Sequence, residues 1–218
     1  FFTNISHEFR TPLTLIMGTT EKLLGRERYD DVPSVKQELE LMHRNQRRLY
    51  KLINQLLEVR RVEAGNLKLT VAEDDIAAYL ETIHRLFMPY AEKKQIDFRF
   101  ESLPSSLRML FDADKIEKIF YNLLSNAFKY TPVKGEILFQ LDTVDEDGKE
   151  YLRVCVRDSG PGIAPEHLPH IFDRFYQITK KHHAGRFSSG IGLSLSKDLI
   201  EIHHGRVEAE SGTGGTCF

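Results

Sequence analysis

A histidine, a glutamate and a threonine stand at positions 7, 8 and 11 of Asn4-Ile5-Ser6-His7-Glu8-Phe9-Arg10-Thr11-Pro12, in the first stretch with helical rhythm. Apolar residues around them fall at Phe2, Ile5, Phe9, Ile16 and Leu23, with Pro12 and Thr19 in two weaker slots. That is the a/d seam of a helical bundle. With Phe2 at position a, His7 falls at f and points away from the core. Imidazole titrates near neutrality, so a solvated ring offers one nitrogen as a nucleophile. Glu8 can hold the proton of the other nitrogen and fix the tautomer, and Thr11 follows one turn along the same face. The plain alternative is a surface histidine, one of nine in the chain.

Three further groups have types and spacing suited to a phosphate-bearing ligand. Asn122, Asn126 and Lys129 recur at intervals of four and three inside a helical pattern, so they share one face. Asparagine gains nothing structurally there, whereas two amide oxygens beside an ammonium suit a hard cation and a phosphate. Asp158-Ser159-Gly160-Pro161-Gly162-Ile163 ends a strand pattern with a carboxylate and two glycines. Glycines let a flat ligand approach the backbone, and the carboxylate can accept from an exocyclic amine; a plain turn is the alternative. Gly190-Ile191-Gly192-Leu193 opens another helix, where free amide N–H groups and the helix dipole favour phosphate.

The elements that must position these groups follow from periodicity. A first helix runs to about residue 28, and a polar turn at Tyr29–Ser34 offers Ser34 as N-cap of a second. The second carries Leu39, Met42, Leu49, Ile53 and Leu56 on its seam, with Gln46 in one slot, and ends near Ala64-Gly65. One apolar stripe per helix cannot close a core, so two copies are expected to pair into a four-helix bundle, a homodimer. Strands are predicted at Leu67–Val71, Ile96–Phe100, Glu136–Leu141 and Tyr151–Val156, and within His204–Glu210. Helices are predicted from Asp75 to about Lys93, over Ala113–Tyr130 and through Leu195, Leu199 and Ile202. Ile171–Phe175 reads as a short helical turn, and residues 176–189, polar and basic without apolar rhythm, as a lid. The fold class is therefore α+β: a helical hairpin over 1–65, then an α/β unit over 66–218.

Composition narrows the function classes. The 218 residues are 41% hydrophobic and 28% charged, with a formal net charge of −2, which gives no electrostatic footprint for direct nucleic-acid binding. Cys155 and Cys217 are far apart and in no metal-ligand spacing, as suits a reducing compartment and a protein with no disulfide framework. No apolar run approaches the roughly 20 residues of a membrane-spanning helix. The stretch reads as a catalytic fragment whose sensor or membrane segments lie elsewhere in the parent.

Phe1–Ile16 resembles the H-box of sensor histidine kinases, with His7, Glu8 and Thr11 matching its His-Glu-x-x-Thr core. Residues 122–130 resemble the N-box, 158–163 the G1 box, 172–175 the F-box and 190–193 the G2 box. The resemblance implies a Bergerat-type ATP-binding sandwich behind the dimerisation hairpin, with ATP and Mg²⁺ as cofactors. It makes His7 the phosphoacceptor, Glu8 its assistant and Thr11 the residue that positions water in a phosphatase reaction. It assigns Mg²⁺ to Asn126, phosphates to Asn122 and Lys129, and the adenine amine to Asp158. Tyr130 would lie beside the nucleotide, Gly160, Gly162 and Phe175 would line its site, and Gly190, Gly192 and Leu193 would support the triphosphate. The implied partner is a response-regulator receiver domain, and the implied setting is the cytoplasmic part of an inner-membrane sensor, including hybrid kinases. Two departures stand out: Ser188 replaces the extra glycine that usually opens the G2 box, and Gly212-Thr213-Gly214-Gly215-Thr216 is compressed. A gyrase- or chaperone-type ATPase, the first rival, would place glutamate where this chain has Asn122. A catalytically degenerate nucleotide-binding scaffold is the second.

Overall fold

Two long helices form a hairpin, α1 (Phe2–Leu24) and α2 (Val32–Glu63). The computed structural model describes residues 2–24, 32–65, 67–178 and 190–218, with side chains over 9–23, 35–65, 67–178 and 190–218. The seam of α1 follows its heptads: Pro12 and Thr19 are buried, and Phe9, Ile16 and Leu23 are half-buried. Of the seam predicted for α2, Met42, Leu49 and Leu56 are half-buried, but Leu39, Gln46 and Ile53 face outward. Within the single hairpin the buried row is Glu38, Asn45, Leu52 and Val59. Glu38 receives Lys22 Nζ at 2.6 Å, and Asn45 donates its side-chain amide to the Leu41 carbonyl at 2.8 Å. A polar residue can hold a seam position when a partner satisfies it there. Ser34 is not an N-cap, because α2 already runs from Val32. The rest of the predicted turn, up to residue 31, lies outside the described residues.

The remainder is a helix-on-sheet sandwich. A five-stranded sheet has the order β2 (Asp97–Ser102), β4 (Glu136–Glu146), β5 (Lys149–Asp158), β7 (Gly215–Cys217), β6 (Glu210–Gly212). Strands β2 and β4 are parallel, joined through α4 (Ala113–Tyr130), and the other pairs are antiparallel. Helices α3 (Ile76–Lys94), α4 and α5 (Gly192–Ile202) supply the other layer. Ile76, Leu80, Ile83, Ile119, Leu124 and Leu199 from the helices meet Ile137, Phe139, Leu141 and Val156 from the sheet in one core. Aromatic rings fill the gaps: Phe128 stacks on Phe87 at 5.4 Å and meets Phe98 edge-on at 5.0 Å.

Several predicted strands move. Leu67–Val71 carries no ladder; the strand is β1 (Ala72–Asp75), paired antiparallel with β3 (Arg108–Phe111) from Ala72↔Phe111 to Asp75↔Arg108. Asp112 accepts from the Thr70 N–H at 2.7 Å, which holds that approach as a loop. The strand expected within His204–Glu210 begins only at Glu210, because the glycine-rich end folds back as the β6–β7 hairpin against β5. Ile171–Phe175 forms turns after a 3₁₀ segment at Leu168–His170. Cys155 of β5 and Cys217 of β7 are joined as a disulfide, with Cα atoms 6.4 Å apart. The expectation of unpaired cysteines is thus corrected; 62 residues separate them in sequence, and only the sheet makes them neighbours.

Candidate functional site

Helix α4 buries Ile119, Phe120, Leu123, Leu124, Ala127 and Phe128. Each large apolar side chain contributes about 1.5–3 kcal/mol on burial. An asparagine lowers helix propensity by roughly 0.5 kcal/mol. The stripe therefore wins easily and carries half-buried Asn122, Asn126 and Lys129 on the opposite side. The Asn122 amide donates to the Gly192 carbonyl and to Ser196 Oγ, both at 3.3 Å, which ties α4 to the first turn of α5. Lys129 Nζ lies 4.9 Å from the centroid of the Tyr130 ring, and Tyr130 is 42% exposed.

At the other end of this face sits Asp158, only 6% exposed. Burial pushes its carboxyl up from the ordinary value, while N–H donors of Gly160 and Thr216 pull it down. The Gly160 bond is 2.8 Å long. A Cβ on Gly160 would lie 2.6 Å from Asp158 Oδ1 and 3.2 Å from the Tyr130 carbonyl, so this glycine lets the end of α4 and the end of β5 meet. Gly162, at φ +72°, faces the Gly212 carbonyl, where a Cβ would stand 1.9 Å from the oxygen.

The third wall is the stem leading to α5. Phe175 N–H donates to the Gly190 carbonyl at 2.7 Å, and Gly190 at φ +65° leaves no room for a Cβ, which would be 2.6 Å from the Phe175 carbonyl carbon. Phe175 and Leu193 are half-buried against the core. Ile191 at the N-cap of α5 has no side-chain acceptor to occupy the first N–H groups of the helix. The stretch predicted as a lid, 176–189, is described only to residue 178; Ser188 lies outside the described residues.

The structure thus brings Asn122 to Gly192, Tyr130 and Asp158 to Gly160, and Phe175 to Gly190, while Leu193 follows Gly192 in the first turn of α5. Gly162 lies against Gly212 and Ser211. His7 and Glu8 have their backbone on α1, and their side chains lie outside the described residues. Thr11 is exposed on the same helix. Ser196, a buried polar partner of Asn122, escaped the sequence reading, and Thr216, also buried, entered it only as the end of the compressed glycine box. Ser196 sits one helical turn after Gly192, the only signal that could have pointed to it. Below the site, the end of α2 rests on α4 and α5. Glu58 pairs with Lys118, Lys51 lies over the Tyr121 ring, and Arg174 bridges Glu63 and Asp198.

Among the described residues no group of three or more His, Cys, Asp or Glu side chains could hold a metal. A Mg²⁺ held by one amide oxygen and a triphosphate needs no such cage. Asn126 fits that demand. Residues 1–65 match the His Kinase A (phospho-acceptor) domain, and residues 111–218 match the histidine kinase-, DNA gyrase B- and HSP90-like ATPase family. The chain belongs to the histidine kinases. Histidine kinase P4 of Formosa agariphila is 38% identical over 213 residues, 95% of this chain and 15% of that protein. The chain therefore spans a small part of that relative's length. Full-length ShkA in complex with AMPPNP is 28% identical with a TM-score of 0.71, over 99% of this chain and 43% of that one. Histidine kinase ThkA in complex with the response regulator TrrA is 24% identical with a TM-score of 0.72, over 100% of this chain and 59% of that one, and shows the fold. This histidine kinase core has an α+β fold, a helical hairpin followed by a Bergerat-type sandwich, and its catalytic unit is an ATP-binding one. Among the described residues no helix is long and apolar enough to cross a membrane.

Proposed function

We propose that this histidine kinase core transfers the γ-phosphate of ATP to His7 and then to an aspartate of a response-regulator receiver domain. What carries the reading is the meeting of α4, the Asp158 turn and the start of α5 at one end of the sheet, in a chain whose first helix bears His7. A ring nitrogen of His7 attacks the γ-phosphorus in line, the P–O bond to ADP breaks, and Glu8 holds the proton of the other nitrogen. Asp158 would accept from the adenine amine, while Asn122, Lys129 and the N–H groups around Gly190, Gly192 and Leu193 would receive phosphate oxygens. Mg²⁺, when bound through Asn126, would neutralise charge on the triphosphate. Tyr130, Gly160, Gly162 and Phe175 would line the nucleotide. The ShkA and ThkA complexes support these classes of ligand and partner.

The same reading assigns residues 1–65 to dimerisation and phosphotransfer and 66–218 to catalysis. Leu39, Tyr50, Ile53 and Leu57 on α2, with Leu13 and Met17 on α1, are exposed, an apolar surface that one hairpin leaves uncovered. A second copy would cover it and complete a four-helix bundle. The parent would be an inner-membrane sensor, hybrid kinases included, holding this part in the cytoplasm.

Incubation with γ-labelled ATP separates the alternatives. Acid-labile, base-stable label on the protein supports the kinase; release of free phosphate without such label supports the gyrase-like ATPase. Binding with neither outcome supports the scaffold. Asn126→Ala removes a cation ligand and is expected to weaken Mg²⁺-dependent ATP binding by about 10–100-fold, the range seen when a metal site loses a supporting group. Calorimetry with and without Mg²⁺ reads this, and unchanged binding would remove Asn126 from the site. Thr11→Ala should leave autophosphorylation within about twofold while slowing dephosphorylation of the receiver by about tenfold or more, the contribution of one positioned general acid–base or water-orienting group being at least that large. Equal loss of both rates would refute the division.

A further inference from the structure

The cysteine pair lies behind the proposed adenine end. Strand β7 joins β5 through only Arg157↔Cys217 and Asp158↔Thr216, extended by two hydrogen bonds between Val156 and Phe218 at 3.0 and 3.1 Å. On that short ladder Thr216 stands directly opposite Asp158, and its N–H helps to hold the Asp158 carboxyl down. Gly215 lies flush against the Asp158 carbonyl, where a Cβ would stand 1.7 Å from the oxygen. The seating of β7 therefore sets the back wall of Asp158. Cys217 follows Thr216 directly, and Cys155 precedes Asp158 by three residues on the adjoining strand. Both cysteines are half-buried, within reach of small thiols. The loop that their bond closes contains Asp158, Gly160, Gly162, Phe175, Gly190, Gly192 and Leu193. Neither cysteine belongs to the buried core or packs against it.

We propose that Cys155 and Cys217 form a redox-reactive site whose thiol–disulfide state sets nucleotide affinity at Asp158. The inference rests on the proposed role of Asp158 in nucleotide binding. A low-molecular-weight dithiol reduces the pair: its thiolate attacks one sulfur, forms a mixed disulfide and releases the other cysteine as a thiolate, which takes a proton. The second thiol of the reductant then displaces the remaining protein sulfur. Two electrons and two protons reach the protein, and the reductant leaves as a cyclic disulfide. A small disulfide such as oxidised glutathione drives the reverse reaction. In the oxidised state β7 is fastened and Thr216 and Gly215 stay against Asp158; in the reduced state only the short ladder holds them.

The test is AMPPNP binding by calorimetry to the whole chain, poised with dithiothreitol or with oxidised glutathione. Intact mass after alkylation counts thiols in each sample. Two alkyl groups after reduction and none after oxidation are expected. The oxidised form should bind about 3–10-fold more tightly, a factor typical of one retained hydrogen bond. Cys155→Ser and Cys217→Ser should each bind like the reduced form under both conditions. Thiols that stay alkylatable after oxidation, or a serine variant that still responds, overturn the proposal. Equal binding in both redox states overturns the coupling alone. No binding in either state overturns the nucleotide reading together with it.

Discussion

His7→Gln is expected to abolish acid-labile labelling from γ-labelled ATP while AMPPNP affinity stays within about twofold, since no binding interaction is removed. The amide of glutamine has no nucleophilic nitrogen, so the covalent step has no substitute. Both residues suit a helix, and the exchange at this heptad position f changes helix propensity by only a few tenths of a kcal/mol, roughly. The groups proposed to bind nucleotide sit on α4, the Asp158 turn and α5, far along the sequence from α1. Filter-bound label after acid and alkali treatment, beside a calorimetric titration, reads both quantities. Residual label equal to the parent would move the acceptor to another of the nine histidines. A tenfold loss of affinity would contradict the separation of acceptor from nucleotide site.

Asp158→Asn should have opposite effects on binding and on folding. The asparagine oxygen would still accept from the Gly160 N–H, but its NH₂ would meet the adenine amine donor to donor. A hydrogen bond to a charged group contributes about 1.5–3 kcal/mol, so affinity should fall by roughly 10–100-fold. Stability should move the other way. Burial raises the folded-state value of the Asp158 carboxyl, so the ionised form is penalised in the folded chain. The parent chain therefore keeps its full stability below the ordinary aspartate value and loses part of it as pH rises through the raised folded value. The asparagine variant has no such titration. Its thermal midpoint should exceed that of the parent at neutral pH, and the gap should close as the medium is acidified through that window. A gap that widened on acidification would show that the two N–H donors outweigh burial.

Period alone made much of this legible. Heptads on α1 anticipated its buried face, and the stripe from Ile116 to Ala127 anticipated α4 to the residue. The boxes at Asn122, Asp158 and Gly190 were readable because their residue types recur within a few positions, inside the stretch that matches the ATPase family. Other features have no local signal. Glu38 and Asn45 are polar, yet they hold the buried row of α2, where Lys22 pairs with one Glu38 oxygen and Asn45 donates to the Leu41 carbonyl. Strand β1 gains its ladder from Arg108–Phe111, more than thirty residues away, so alternation at Leu67–Val71 pointed to the wrong segment. Ser196 and Thr216 look like ordinary helix and turn residues until α5 and β7 bring them to Asn122 and Asp158.

The sequence by itself determined the family, through the spacing of a histidine in a helical heptad pattern, an amide-bearing helix face, and a carboxylate with glycine turns. Each depends on contacts between residues near one another in the chain, where side-chain period and backbone freedom are local properties. Only the tertiary structure decided which polar residues occupy the hairpin seam, how β7 seats behind Asp158, and that Cys155 meets Cys217. Those outcomes are set by pairing between distant segments, whose register depends on the whole sheet and core rather than on any short stretch.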